Sequence, residues 1–287
     1  MKIILLRCLP LLLLTSCVTR AIYQSPMHTN TNRYKPMPMH NEGSAAASYA
    51  GIHAAVGTAN EHGQDQAFSF GTSFHRSHNF SFFQATYGAT LELGDYKVNQ
   101  YPIIHDSLGG NTYRNFDPVK INERAGHKFF GAYGLNGSVN VVAPFGNAEW
   151  RVLGAELAWN QEFGRYLDFR KNMPTGAVTM ADRKKTYFVW GVFTEMVGRV
   201  GDDNRLGYKL ALFGTNRRIY DEWNTSNPNL DYVQAACLAQ TLHFTVDNKV
   251  TIAAQVNLGT YAFSSTLSTI VRLDNLRKKK AGTAAGL

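Results

Sequence analysis

A period of two in the placement of apolar residues constrains this chain more than any other feature. Across 83–93, Phe83, Ala85, Tyr87, Ala89, Leu91 and Leu93 fall on one parity, and Gln84, Thr86, Gly88, Thr90 and Glu92 on the other. Successive side chains of an extended strand point to opposite faces, so this pattern predicts a strand with one apolar and one polar face. Residues 129–141 repeat it, with Phe129, Tyr133, Leu135, Val139 and Val141 opposed by Asn136, Ser138 and Asn140. In 153–162, Leu153, Ala155, Leu157 and Trp159 oppose Glu156, Asn160 and Glu162, and 250–258 alternates in the same way. The segment 232–245 is ambiguous, because Gln234, Leu238 and Gln240 share a parity, and 263–273 is weak. From residue 44 onward no stretch carries the 3.6-residue period of an amphipathic helix. Composition agrees: 17% charged residues, 25 glycines and 12% aromatics suit a β-protein better than a helical one.

Ten strands are predicted, at 44–57, 66–76, 79–94, 127–143, 147–163, 185–200, 204–215, 231–246, 249–260 and 263–273. Several exceed the usual strand of about five or six residues and reach the roughly nine to eleven needed to cross a bilayer at a tilt. Their connections alternate in length. Ser77-His78, Pro144-Phe145-Gly146, Gly201-Asp202-Asp203 and Asp247-Asn248 are tight turns, whereas 95–126, 164–184 and 216–230 are long. Short periplasmic turns alternating with long outer loops are the rule of a membrane barrel. With the N-terminus on the periplasmic side, every long connection falls outside; the short link from Thr260 to Ala262 is the exception.

The expected fold is therefore all-β, a closed antiparallel up-and-down β-barrel of about ten strands, transmembrane. Phe68, Phe83, Trp150, Trp159, Tyr187 and Tyr208 would form interfacial aromatics on its lipid face. Glu92, Glu156, Glu195 and Lys209 are the lumenal polar candidates. Ten strands enclose a narrow interior largely filled by side chains, so the three carboxylates are expected to pair with Lys209 and other inward bases rather than to line a gated solute path. A soluble lipid-anchored barrel or sandwich would instead place the apolar face inside, around a small apolar ligand. The chain also departs from many outer-membrane barrels, which end on an aromatic residue of the last strand. Here Leu273-Asp274-Asn275-Leu276 leads into a basic tail from Arg277 to Lys280.

Ahead of the strands, Lys2 and Arg7 precede an apolar run to Leu14, closed by Thr15, Ser16 and Cys17. This is the layout of a secretory signal, too short for a permanent membrane helix. A cysteine at the cut point resembles the lipobox of bacterial lipoproteins, which implies cleavage after Ser16, acylation of Cys17 and export beyond the inner membrane. Val18 is not the aspartate associated with inner-membrane retention in some bacteria. Four parts follow: 1–16 signal peptide, 17–43 lipidated N-terminus and flexible tether, 44–273 barrel, 274–287 basic Gly/Ala-rich tail. The tether is read from Pro26, Pro36, Pro38 and the lack of an apolar period. Within it, Tyr23-Gln24-Ser25-Pro26-Met27 followed by Met37-Pro38-Met39 resembles the opening of a group of Bacteroidetes lipoproteins in which such a segment precedes a predicted β-barrel. That resemblance implies an outer-membrane, lipid-anchored location and carries no functional residue across.

Of 3 cysteines, Cys8 leaves with the leader and Cys17 is taken by lipid, so Cys237 stands alone, without a disulfide framework or cysteine metal site. The net charge of +8 falls to about +6 once Lys2 and Arg7 are removed. For an exported lipoprotein that charge points to outer-membrane lipid or lipopolysaccharide phosphate rather than to nucleic acid. No nucleotide or phosphate-binding fingerprint is present, and no cofactor is expected. His53, His62, His75 and His78 read as exposed polar residues near a turn rather than metal ligands, and Asp202 and Asp203 as turn formers. His105-Asp106-Ser107 has the residue types of a hydrolytic triad, but adjacent side chains seldom face one another. An enzyme acting on lipid or peptide would draw on His105, His127, Asp168 or Asp221 at the outer rim; the sequence singles out none. The expected role is structural or binding, with long polar loops turned outward.

Overall fold

Alternation along the chain becomes alternation across a wall. The computed structural model describes residues 20–26, 33–40, 44–60, 65–102, 116–201, 203–223 and 232–274. Ten of its strands close into one antiparallel barrel. They are β2 (Ala46–Ala59), β3 (Asp65–Asn79), β4 (Phe83–Val98), β5 (Gly126–Phe145), β6 (Ala148–Phe163), β8 (Thr186–Val200), β9 (Asn204–Tyr220), β10 (Tyr232–Val246), β11 (Val250–Gly259) and β12 (Ala262–Arg272). Each pairs with its neighbour in sequence, and β12 returns to β2 along a register running from Ala262↔Ala59 to Arg272↔Tyr49. The seam is stitched beyond the ladder: Leu273 N donates to Ser48 O, and Ser48 N to Asp274 Oδ2. A closed sheet leaves no unpaired edge.

The apolar parity faces out and the polar parity faces in. Leu135 and Leu267 keep 61% and 59% of their surface, whereas Gln84, Glu92, Asn140 and Glu195 are buried. Phe68, Trp150 and Tyr208 are exposed on the outer face, and Phe83 and Trp159 are partly covered there. Tyr187 corrects the expected aromatic set, because its parity turns it into the barrel, where it is buried. Trp150 and Trp159 differ in parity yet both face out. A bulge between Arg151 and Gly154 sends Val152 and Leu153 outward together and resets the alternation. The ambiguous Gln234, Leu238 and Gln240 also lie on the outer parity, where Tyr208 Oη donates to Gln240 Oε1 at 2.9 Å.

Connections at one end are short: 80–82, 146–147, 201–203 and 247–249. At the other end lie 60–64, 99–125, 164–185, 221–231 and the two-residue turn 260–261. The first short turn falls at 80–82 rather than Ser77-His78, since β3 runs on to Asn79. Among the described residues two short helices lie in the long connections, where none was expected: α1 (Pro118–Asn122) and α2 (Arg165–Lys171). Five to seven residues are too few to display a helical period. Only the cap of α1 is readable in the sequence, with Pro118 in its first turn and Asp117 accepting from Val119 N and Lys120 N.

The largest departure from expectation concerns 17–43. Its described residues do not form a tether standing off the barrel. Residues 21–25 are buried at the mouth bearing the long connections, and 33–39 are buried inside the lumen. Ile22–Tyr23 forms β1, which pairs in parallel with β7 (Met180–Ala181) in the 164–185 connection. The chain thus passes from the long-connection end, through the barrel, to the short-turn end where β2 begins.

Candidate functional site: the occupied lumen

Inward parity places Glu92 on β4, Glu156 on β6, Glu195 on β8 and Lys209 on β9, all buried in the lumen. Lys209 pairs with Glu156 and lies 4.0 Å from the centre of the Phe193 ring. Glu195 is held by Arg151 at 2.8 Å and His243 at 2.9 Å. Glu92 takes His53 at 2.5 Å and Ser69. Two glycines make room for these histidines. A Cβ on Gly71 would stand 2.2 Å from His53 Nε2, and one on Gly207 2.2 Å from His243 Nε2.

The wall alone is short of positive charge. Its buried strand carboxylates are Asp65, Glu92, Glu149, Glu156, Glu162 and Glu195; its buried strand cations are Arg151, Arg205, Lys209 and Arg272. The N-terminal segment brings two more. Arg33 donates to Glu92 at 2.5 Å and to Thr266 Oγ1 at 2.7 Å, and Lys35 lies 3.9 Å from Glu156. Between them Tyr34 stacks on His243, ring centres 4.2 Å apart, and its hydroxyl donates to Glu195 at 2.9 Å. A buried charge is tolerated when it is paired and hydrogen-bonded, so wall and segment complete one another.

Below Lys35 the contacts pass to the backbone. Pro36 O accepts from His75 Nε2 at 3.0 Å and Ser77 Oγ at 3.3 Å, and Met37 O from Arg151 at 3.2 Å and Arg205 at 3.3 Å. Pro38 O accepts from Gln84 at 2.8 Å, Met39 O from Asn79 at 3.4 Å, and His40 N donates to Glu149 at 2.8 Å. Four successive carbonyls are therefore satisfied by wall side chains. Proline removes the amide at two of these positions, which lowers the number of buried donors and keeps the segment from adding to the sheet as a strand. His53 and His75, expected to be exposed near a turn, are lumenal parts of this grip, and His75 also stacks on Tyr49.

At the mouth the grip changes character. Tyr23 packs edge-on to Phe169 at 5.1 Å, and Tyr96 stacks on Tyr166 at 3.9 Å. Phe116, Ile121, Met173, Ala177 and Val178 from the long connections join the same buried cluster. The described parts of those connections are thus an apolar cap, not simply polar loops. Polar contacts fasten the same stretch: Ala21 N donates to Thr179 Oγ1 at 2.9 Å, Ile22 N to Asn60 Oδ1 at 2.6 Å, Asp182 N to Tyr23 O at 2.9 Å and Tyr166 Oη to Gln24 O at 3.0 Å, and Ser25 contacts Glu162, which pairs with Arg170. Burial holds the Tyr166 phenol above its ordinary pKa.

Other sequence candidates are not brought together. Cys17 and His105-Asp106-Ser107 lie outside the described residues. His127 contacts Asp95 at 2.5 Å on the exposed rim, Asp168 sits exposed in α2, and buried Asp221 accepts from Trp223 N. A rim cleft of about 480 Å³ is lined by Arg183, Lys184, Arg217 and Arg218 together with Asp182, Asp221 and Glu222, the last bound to Arg183. Among the described residues no three histidine, cysteine or acidic side chains converge as a metal site.

No family model and no curated protein matches the sequence. Solved structures similar in fold include the translocator domain of the autotransporter NalP from Neisseria meningitidis, at 8% identity and TM-score 0.38, covering 81% of this chain and 90% of that one. An outer-membrane channel from Pseudomonas putida F1 matches at 8% identity and TM-score 0.37, over 83% of this chain and 100% of that one. The transport unit of the autotransporter AIDA-I from Escherichia coli matches at 8% and 0.33, over 86% and 95%.

Proposed function

We propose that this chain is an outer-membrane β-barrel lipoprotein, anchored through acylated Cys17, with a structural or binding role and a lumen kept closed by its own N-terminal segment. The observation that carries the reading is the burial of 33–39 inside the barrel with the carbonyls of 36–39 each accepting from the wall. The membrane setting is supported by the apolar outer face and polar interior, the reverse of a soluble barrel, and by the grouping of long connections at one end. The resemblance of its opening segment to Bacteroidetes lipoproteins agrees with that setting. Outer-membrane lipid is then the principal partner, and the rim cleft, where Arg183, Lys184, Arg217 and Arg218 face Asp182, Asp221 and Glu222, offers Lys184 and Arg218 to an anionic group such as a lipopolysaccharide phosphate.

The test is reconstitution. The mature chain is expected to fold only with detergent or lipid, to shift on a gel with heating, and to leave vesicles impermeable to small solutes. A stable monomer in plain buffer would sink the membrane reading; a steady solute leak would sink the closed lumen.

A further inference from the structure

The direction in which the segment threads the barrel bears on where a lipid on the N-terminus can sit. Ala21 exchanges hydrogen bonds with Thr179, Ile22 N donates to Asn60 Oδ1, and Gln24 Nε2 donates to Thr260 O, all at the long-connection end. His40 lies at the opposite end, against Phe80 O and Glu149. Cys17 is outside the described residues, but Arg20 is only three chain steps from it in the sequence, a reach of at most ~11 Å. The apolar band of a barrel is about 25 Å tall. A lipid on Cys17 cannot cross that band from Arg20.

We infer that the lipid anchor is seated in the leaflet on the long-connection side, the cell-surface side of an outer-membrane barrel, and not in the periplasmic leaflet from which β2 starts. This rests on the proposed membrane reading and on acylation of Cys17. It follows that the barrel closes around a segment whose acylated end emerges at the surface. The sheet and the anchor then hold the chain from opposite ends of the lumen.

Cysteine labelling tests this with the full chain in the outer membrane of a Gram-negative host, using a bulky, membrane-impermeant maleimide on intact and on permeabilised cells. Thr19→Cys reports the N-terminus, Arg165→Cys the long-connection end, and Lys249→Cys the short-turn end; Cys237 is buried and the parent chain gives the background. The inference expects Thr19→Cys and Arg165→Cys to label on intact cells and Lys249→Cys only after permeabilisation. Protection of Thr19→Cys alongside Lys249→Cys, while Arg165→Cys labels, overturns the inference and leaves the membrane barrel standing. Equal labelling of all three in a soluble fraction removes the membrane reading itself. Labelling of the parent chain at Cys17 shows a free thiol and removes the anchor.

Discussion

The N-terminal segment is held twice, and in opposite ways. Inside the barrel, Arg33 to His40 meet a wall of carboxylates, histidines and arginines through short directional contacts. At the mouth, Ala21 and Tyr23 join tyrosines, phenylalanines and aliphatic residues contributed by the long connections. The lumen fixes register, because each carbonyl and charge meets defined side chains of the wall and a slip of one residue would orphan several of them. The cap supplies area, which tolerates small shifts but excludes water. Neither would suffice alone. An uncapped polar lumen would stay wet, and an apolar cap would not specify which residues lie below it.

Substitutions separate the two. Glu92→Ala should have the largest effect, since it strands Arg33 and His53 without their carboxylate. Breaking one partner of a buried pair costs about 3–5 kcal/mol, read as a lower urea midpoint in detergent. Replacing both partners, Arg33→Met with Glu92→Leu, should recover much of that loss. If single and double variants lose the same amount, the lumen is not an electrostatic fit. Phe169→Ala should cost about 3 kcal/mol as a cavity under Tyr23. Its signature is faster proteolysis of 164–185 with the lumen still protected; concerted loss of both would erase the distinction. Gly71→Ala comes last, at about 1–3 kcal/mol, because its Cβ would displace His53. Restored stability in Gly71→Ala with His53→Ala would confirm that cause, and no change in Gly71→Ala would refute it.

Most of the wall is legible in the amino-acid sequence, because parity is a local property. Counting residues turns Glu92, Glu156, Glu195 and Lys209 inward, and Gly, Asp and Asn mark the turns at 201–203 and 247–249. The same count turns Tyr187 inward, and Trp150 and Trp159 share the outer face only through a bulge that leaves no mark in composition. The threaded segment is illegible for a different reason. A strand announces itself by alternation and a helix by its period, whereas Lys35-Pro36-Met37-Pro38-Met39 is held by side chains from elsewhere and needs no internal pattern. One signal was available: inward carboxylates outnumber inward cations on the strands, which calls for a cationic guest.

Met37→Cys tests most directly whether 33–40 lies inside the barrel. In the folded protein in detergent this cysteine is predicted to resist a small water-soluble thiol reagent, to react promptly on unfolding, and to become reactive in the folded Glu92→Ala variant. Reaction in the folded protein as fast as that of the exposed Arg165→Cys would contradict an occupied lumen.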